Sequence, residues 1–322
     1  MPRPLIILNN SAARARRVWP MIKSELDAAK IEYDTHVTSA IGDATNRTRL
    51  AIHSGATLIV VVGGDGSLSE VAEGYFEFSS NPEHLPKPIN KEVTLAVLPA
   101  GTGDDFARGL VGKRAPLNAW IKDLLAKLTS NEEPATRFID VLYGRCDDLQ
   151  TPFICLNAST MGIGGETASR VAAQGKFMRR FSGEFRFLFA ALGALAVWRE
   201  RRVKVSVDGK QISDGPMNLV AVANALYAGG GMKLSPDARL DDGKLDVVTA
   251  SGLSRSNVIT ELSRVHKGGH VHNPKVNITQ GEIVLIETLM VQDAMLIEAD
   301  GNVRGVTPVR FEVIPSALQF MI

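Results

Sequence analysis

Over the first third of this 322-residue chain, short apolar runs alternate with segments of helical periodicity, the pattern of a parallel sheet whose strands are joined by crossover helices. The apolar runs predict strands at 4–8, 32–38, 57–62 and 93–98, with helices at about 12–30, 43–53, 67–78 and 116–128. Helices cover both faces of such a sheet, so its strands are expected to be apolar on both sides, and nearly all are. A Pro-rich surface loop is expected at 81–88, and a polar stretch at 129–134, ending on Pro134, reads as a linker. Beyond it the period changes to short alternating strands, such as 138–144, 202–208 and 218–224, separated by Asp-Gly and Gly-rich turns. Helical segments at about 164–173, 183–199 and 254–266 interrupt them. The expected architecture is an α/β domain with a parallel sheet over 1–130 and an antiparallel β-rich sandwich domain over 131–305, with a segment of about 306–322 free to return to the first.

Charge and composition narrow the function classes. Lys and Arg number 36 and Asp and Glu 35, so the chain is close to neutral, and a nucleic-acid partner, which usually meets a more basic protein, is not expected. Only Cys146 and Cys155 carry thiols, outside any CxxC pair, which points to a reducing, cytoplasmic compartment. The N-terminal apolar run is too short for a signal peptide and reads directly into the first strand. The longest apolar stretch, 187–198, falls short of the roughly 18 to 20 residues that cross a bilayer.

Two glycine-rich loops carry the strongest chemical signal. In the first, an apolar strand opens through Gly63, Gly64, Asp65, Gly66 and Ser67 into a helix. Glycines let backbone N–H groups approach an anion, the helix N-terminus adds positive potential, and Ser67 can cap the helix and donate to a phosphate oxygen. An acidic Asp65 in such a loop makes sense if Mg²⁺ stands between it and the phosphates, because the cation reverses the local sign of charge. In the second, Gly101, Thr102, Gly103, Asp104 and Asp105 again follow an apolar strand. Ligands of open α/β sheets bind at the carboxyl ends of the strands, so the two loops are expected to converge on one crevice. A third segment, 227–245, holds the triple glycine 229–231 and Asp242-Gly243, and read alone it is either a turn between strands or part of a site.

Taken together and in order, these motifs resemble the diacylglycerol-kinase catalytic-domain superfamily, which includes bacterial diacylglycerol and other lipid kinases and the sphingosine and ceramide kinases. The resemblance spans essentially the whole chain: GGDGS at 63–67 for GGDGT, GTGDD at 101–105 for GTxND, Asp140 in FIDV, Asn157 through Gly165, the triple glycine, and Asp300-Gly301. It implies an ATP-dependent kinase that phosphorylates a lipid hydroxyl, diacylglycerol first, with the substrate cleft between a nucleotide domain and a β-rich domain. By the same resemblance Asn9, Asn10, Ser11, Thr38, Gly63, Gly64, Asp65, Gly66, Ser67, Leu68, Ser69 and Thr102 correspond to ATP-contacting positions. Asp65, Asp105 and Asp140 would serve a water-bridged Mg²⁺ network, and a structural Mg²⁺ would be held by the Asp242 carboxylate and the backbone carbonyls of Arg239 and Lys244. Oxygen-only ligation of that kind suits a hard divalent cation.

Three positions depart from the family pattern. The N-terminal loop reads Asn9-Asn10-Ser11-Ala12-Ala13, without the proline and glycine of NPxSG. Asp104 stands where GTxND has Asn, an added negative charge expected to raise the demand for Mg²⁺. The family's DGE, whose glutamate is the proposed base for the lipid hydroxyl, reads Asp300-Gly301-Asn302, and Asn cannot accept that proton. On a single strand Glu298, Asp300 and Asn302 would share a face, so Asp300, or secondarily Glu298, is the expected substitute base. The competing expectation is a slow or non-catalytic relative that binds nucleotide and lipid; a NAD kinase, which shares the GGDG loop, is the enzymatic rival.

A lipid substrate implies contact with a membrane surface. Lys176, Phe177, Met178, Arg179, Arg180 and Phe181, followed by Phe185, Arg186, Phe187, Leu188 and Phe189, place basic residues beside aromatics, as an anionic interface favours. A core helix with snorkelling arginines is the equal alternative. His266, His270 and His272 are expected in an exposed loop rather than in a metal cluster. A homodimer is left open.

Overall fold

The computed structural model describes residues 3–79, 81, 84–130, 132–146, 152–175, 177–178, 181 and 183–322. Parts of the expected Pro-rich loop (82–83) and linker (131), and the cations Lys176, Arg179 and Arg180 of the membrane-facing expectation, lie outside the described residues. The chain divides into two compact units, Met1–Asp140 with Ser316–Ile322, and Val141–Pro315.

The first unit runs β1 (Leu5–Leu8), α1 (Ala13–Ala28), β2 (Asp34–Val37), α2 (Asp43–His53), β3 (Leu58–Gly63), α3 (Asp65–Glu73), the two-residue strands β4 (Phe76–Glu77) and β5 (Lys87–Pro88), β6 (Thr94–Pro99), α4 (Asp105–Val111) and α5 (Leu117–Thr129). It ends in the first half of β7 (Thr136–Cys146). Strands β6, β3, β1 and β2 lie side by side, all parallel, so their carboxyl ends share one edge. The helices bury one stripe each: Ile22 and Leu26 of α1, and Leu117, Ile121, Leu124 and Leu128 of α5 at helical spacing, pack with Leu8, Val60, Val62 and Leu98 of the strands. β3 is buried along its whole length, as its LIVVV sequence predicts. β2 is not: its DTHV stands at the sheet edge and is mostly exposed, a correction to the expectation of strands apolar on both faces, because an edge strand has a neighbour on one side only. α3 begins at Asp65, two residues before its expected start, and stops at Gly74, where a Cβ would stand 2.6 Å from the Thr48 Cβ on α2. α4 lies inside the second glycine motif and has no counterpart among the expected helices.

The second unit continues β7 into β8 (Phe153–Cys155), β9 (Ala158–Gly162), α6 (Ile163–Ala172), α7 (Gly183–Val197), β10 (Arg201–Val207), β11 (Lys210–Met217), β12 (Leu219–Ala223), β13 (Tyr227–Ala228), β14 (Met232–Lys233), β15 (Leu245–Ala250), α8 (Arg255–Val265), β16 (Val276–Gly281), β17 (Ile283–Thr288), β18 (Leu296–Ala299), β19 (Asn302–Val306) and β20 (Val309–Met321), whose end returns to the first unit beside β6. An antiparallel sheet in the order β16-β15-β12-β9-β18-β19 faces the strands β11, β10, β17 and β20. Alternate residues of both, Val203, Val205 and Val207 on one side and Val220, Val222, Leu245 and Val247 on the other, interdigitate in a sandwich core. Asp208-Gly209 and Asp300-Gly301 both turn with positive φ at each residue, the conformation that two-residue hairpins require. Cys146 and Cys155 are buried and unbridged.

His270 is a correction. It lies in a short 3-10 turn, Gly269–His272, is buried, and its Nε2 is 3.0 Å from the Leu234 carbonyl oxygen, so the ring is held by the β-rich core instead of an exposed loop.

Candidate active site

At the carboxyl edge of the parallel sheet the two glycine loops meet backbone to backbone. A Cβ on Gly64 would stand 2.8 Å from the Gly101 Cα, and one on Gly101 would stand 2.4 Å from the Gly64 Cα and 2.8 Å from an Asp104 carboxylate oxygen. Only glycine permits that approach. Gly63 faces the same limit against Ser67, and its carbonyl accepts from Ala100 N–H at 2.8 Å. The expected convergence is therefore a physical contact between the motifs.

The Asp65 carboxylate carries the contact further. Its two oxygens accept the backbone N–H groups of Asp105 (3.0 Å) and Phe106 (2.9 Å), so it caps α4 from a different helix. Asp65 thus has a structural task that its sequence position alone does not disclose. The β1–α1 loop joins the same cluster: Asn9 Nδ2 donates to Ser67 Oγ at 2.6 Å, while Asn9 Oδ1 accepts from Ser11 N–H and Ala12 N–H at 2.8 and 3.2 Å. The Asn9 side chain closes the turn that lacks the family's proline and glycine. Asn10 N–H points to Thr38 Oγ1 at 3.3 Å, which brings in the end of β2.

Asp104, the added charge of the second glycine loop, has partners from two other segments. One oxygen accepts Gly101 N–H at 2.7 Å; the other is 3.0 Å from Arg14 of α1 and 3.9 Å from Arg114. Arg14 also donates to the Gly101 carbonyl, and Arg114 to the Thr102 carbonyl. Burial pushes the Asp104 carboxyl above the usual carboxylate range, the Asp65 charge adds to this, and the Gly101 N–H and the two guanidinium groups oppose it. The added carboxylate is met by arginines supplied from elsewhere in the unit. Neither arginine belongs to a family motif, and only their fold neighbours make them recognisable.

The remaining expected residues sort by exposure. Asn10, Ser11 and Thr102 are exposed, and Asn9, Gly64, Asp65 and Gly66 are partly so. Leu68 and Ser69 face the interior at 1% and 0% exposure, and Thr38 and Ser67 are also buried. Asp105 and Asp140 are buried, and Asp140 accepts Ser316 N–H at 2.8 Å, tying down the returning C-terminal strand. Among the described residues no group of three or more His, Cys, Asp or Glu is placed to hold a metal. Mg²⁺ that keeps its waters and is held chiefly by nucleotide phosphates needs only one or two carboxylates, and Asp65 and Asp105 beside the glycine contact fit that demand.

In the β-rich unit Asp300 is spent on the backbone: its carboxylate accepts Leu156 N–H at 2.7 Å and Asn157 N–H at 3.0 Å. Asn224 completes the knot, its Nδ2 donating to the Leu156 carbonyl and its backbone N–H to that of Asn157. Sequence reasoning passed over Asn224, whose only signal was its place at the end of an apolar strand. Glu298 accepts from Thr160 Oγ1 at 2.6 Å and from Gly301 N–H. Glu298, Asp300 and Asn302 do not share a strand face, which corrects the expectation: the chain reverses at Asp300-Gly301, so Asn302 pairs with Ala299 and Glu298 with Val303. Asn302 is exposed.

At the 239–244 turn, Lys244 N–H donates to Asp242 Oδ1 at 3.1 Å and the Arg239 guanidinium meets Asp241 at 3.3 Å. Burial pushes the Asp246 carboxyl up, and the charges of Asp242 and Asp237 push it further. A carboxylate with backbone carbonyls is a donor set of the kind a hard cation takes, and Asp242 is the carboxylate of this turn that the resemblance assigns to one.

Comparison with known proteins agrees with this geometry. Residues 3–134 match the family described as "Diacylglycerol kinase catalytic domain", and residues 161–322 match "YegS C-terminal NAD kinase beta sandwich-like domain". The "Diacylglycerol kinase" of Bacillus subtilis (strain 168) is 26% identical over 313 residues, 97% of this chain and 93% of that protein. A protein named "Probable lipid kinase YegS-like" from Xanthomonas campestris pv. campestris is 30% identical over 240 residues, 74% of this chain and 70% of its own. A crystal structure of a diacylglycerol kinase from Bacillus anthracis str. Sterne superposes with a TM-score of 0.71 at 22% identity, covering 99% of this chain and 96% of that one, which shows the shared fold.

Proposed function

The chain belongs to the diacylglycerol-kinase catalytic-domain superfamily and is a lipid kinase, and we propose that it transfers the γ-phosphoryl group of Mg-ATP to a lipid hydroxyl, with diacylglycerol as first acceptor and phosphatidic acid as product. The observation that supports this reading is the Gly64–Gly101 contact, which brings the two motif loops together in front of α3.

Phosphoryl transfer asks the protein for in-line positioning and for charge neutralisation more than for covalent chemistry. Backbone amides of the 63–67 loop would bind phosphate oxygens at the positive end of α3. Asn9 and Ser67, already hydrogen-bonded to each other, would orient the loop, and Asn10, Ser11, Thr38 and Thr102 would supply further nucleotide contacts. Mg²⁺, when bound with the nucleotide, would supply the positive charge that offsets the transferring phosphoryl group, with Asp65 and Asp105 as the carboxylates proposed to serve it. Asp242 with the carbonyls of Arg239 and Lys244 would hold a second, structural Mg²⁺ in the β-rich unit.

Removal of the hydroxyl proton falls to a carboxylate of the 298–302 hairpin, Asp300 first and Glu298 second. Both already accept hydrogen bonds from their own unit, and Asn302 offers no base. This supports a second reading, a slow member of the family, since general-base assistance contributes roughly 10²- to 10⁴-fold in rate. The test is phosphate transfer from Mg-ATP to a lipid panel in mixed micelles, diacylglycerol first, with Asp65→Ala as control. Phosphatidic acid that disappears in the control supports the proposal; ATP binding with no product from any lipid overturns it.

A further inference from the structure

Helix α7 is built the wrong way round for a surface helix. It turns small residues inward, burying Ala190, Ala191 and Ala194 together with Leu195, and outward it presents Phe185, Leu188, Phe189 and Leu192 at i, i+3, i+4 and i+7, each 45–59% exposed. Phe177 and Phe181 extend the stripe, with ring centroids 5.6 Å apart, and Phe181 lies 5.1 Å from Phe185. Water does not select such a face. Contiguous exposed aromatics of this kind mark a surface that is covered in use.

We infer that this stripe is a docking surface for an anionic lipid bilayer, the surface on which the protein meets its substrate. The inference rests on the lipid-kinase reading, because an enzyme of that class must work where its acceptor is dissolved. The 15 residues of α7 rise about 22 Å, too little to cross about 30 Å of hydrocarbon, so the helix lies along the interface. Among the described residues no helix is long and apolar enough to cross a membrane. The surrounding sequence has the matching charge: residues 176–186 carry four basic groups, Lys176, Arg179, Arg180 and Arg186, against the single Glu184. A neutral or acidic surround would favour a protein partner instead.

The experiment is sedimentation of the full chain with phosphatidylcholine vesicles, with and without phosphatidylglycerol, comparing wild type with Phe185→Gln/Phe189→Gln and, independently, Leu188→Gln/Leu192→Gln. Wild type is expected to bind the anionic vesicles preferentially, and each double variant to lose at least about tenfold in partitioning while melting like wild type. Equal binding to both vesicles, or unchanged binding by folded variants, overturns the inference. So does a wild-type dimer that the variants convert to monomer, because a second copy then covers the stripe. Wild-type activity in mixed micelles separates the two failures: product in micelles with unchanged vesicle binding sinks only the docking surface, and no lipid product in micelles sinks the reading beneath it.

Discussion

Arg14 and Asp104, ninety residues apart in sequence, form an ion pair of 3.0 Å that locks the first helix of the nucleotide-binding unit to its second glycine loop. The same carboxylate holds Gly101 N–H, so one side chain fixes both the shape and the position of the loop that presses on Gly64. Replacing Asp104 by Ala leaves the Gly101 amide and Arg14 unanswered and is expected to cost roughly 1–3 kcal/mol of stability and to raise KM for ATP more than it lowers kcat. Asp104→Asn keeps an acceptor for Gly101 and is expected to stay within about threefold of wild-type kcat/KM. Thermal melts and steady-state kinetics on the two variants check this.

The same pair has a pH signature. Burial raises the folded-state Asp104 carboxyl above its ordinary value of 3.8, so protonated Asp104 favours the folded state. Its stabilising contribution is complete below 3.8 and is lost as pH rises through the raised folded value. The melting temperature of Asp104→Asn relative to wild type is therefore expected to increase with pH above 3.8 and to level off once pH has passed the raised folded value. A difference that is flat from pH 3 to 7, or that shrinks, would contradict it.

Asp65 separates capping from catalysis. Asp65→Ala removes the acceptor of two α4 amides and is expected to cost about 1–2 kcal/mol, as lost caps do. Asp65→Asn retains one acceptor oxygen and should melt between Ala and wild type. Both are expected to lose at least about 10²-fold in lipid phosphorylation if the negative charge is needed beside Mg-ATP. An Asn variant with near wild-type turnover would reduce Asp65 to a cap.

Restoring a carboxylate at the exposed start of β19 tests the missing base. Asn302→Glu is expected to raise kcat by about tenfold or more, with the fold unaffected. No gain, in a variant that melts like wild type, would sink the idea that position 302 limits turnover.

His270 predicts acid sensitivity in the β-rich unit. Burial lowers its affinity for a proton below the ordinary 6.5, so the neutral ring stabilises the fold above that pH and the contribution is lost as pH falls through the lowered folded value. His270→Gln, which keeps a donor for the Leu234 carbonyl, should show a melting temperature that falls less steeply than wild type between pH 6.5 and 5. Parallel curves would exclude the imidazole as the source.

Most strand and helix positions in the first unit were legible because they rest on local information, while α4 was not. LIVVV at 58–62 can only be a buried strand, and glycines after it can only be a tight turn into a helix. The motif order was equally legible and led to the right family. In the β-rich unit several strands were not legible, since alternating runs such as Val276–Gly281 owe their conformation to cross-strand partners that the sequence does not display.

Sequence alone determined the fold class, the glycine loops and the residue types at the site, because backbone periodicity and glycine's missing side chain act within a few positions. Tertiary structure decided what the charged and polar residues are for. Asp65 became a cap for another helix, Asp104 acquired Arg14, Asp300 was claimed by two backbone amides, and Ser69 turned inward. The physical reason is range: a carboxylate's role depends on which donors lie within about 3 Å of it, and those donors come from segments 40 to 144 residues away.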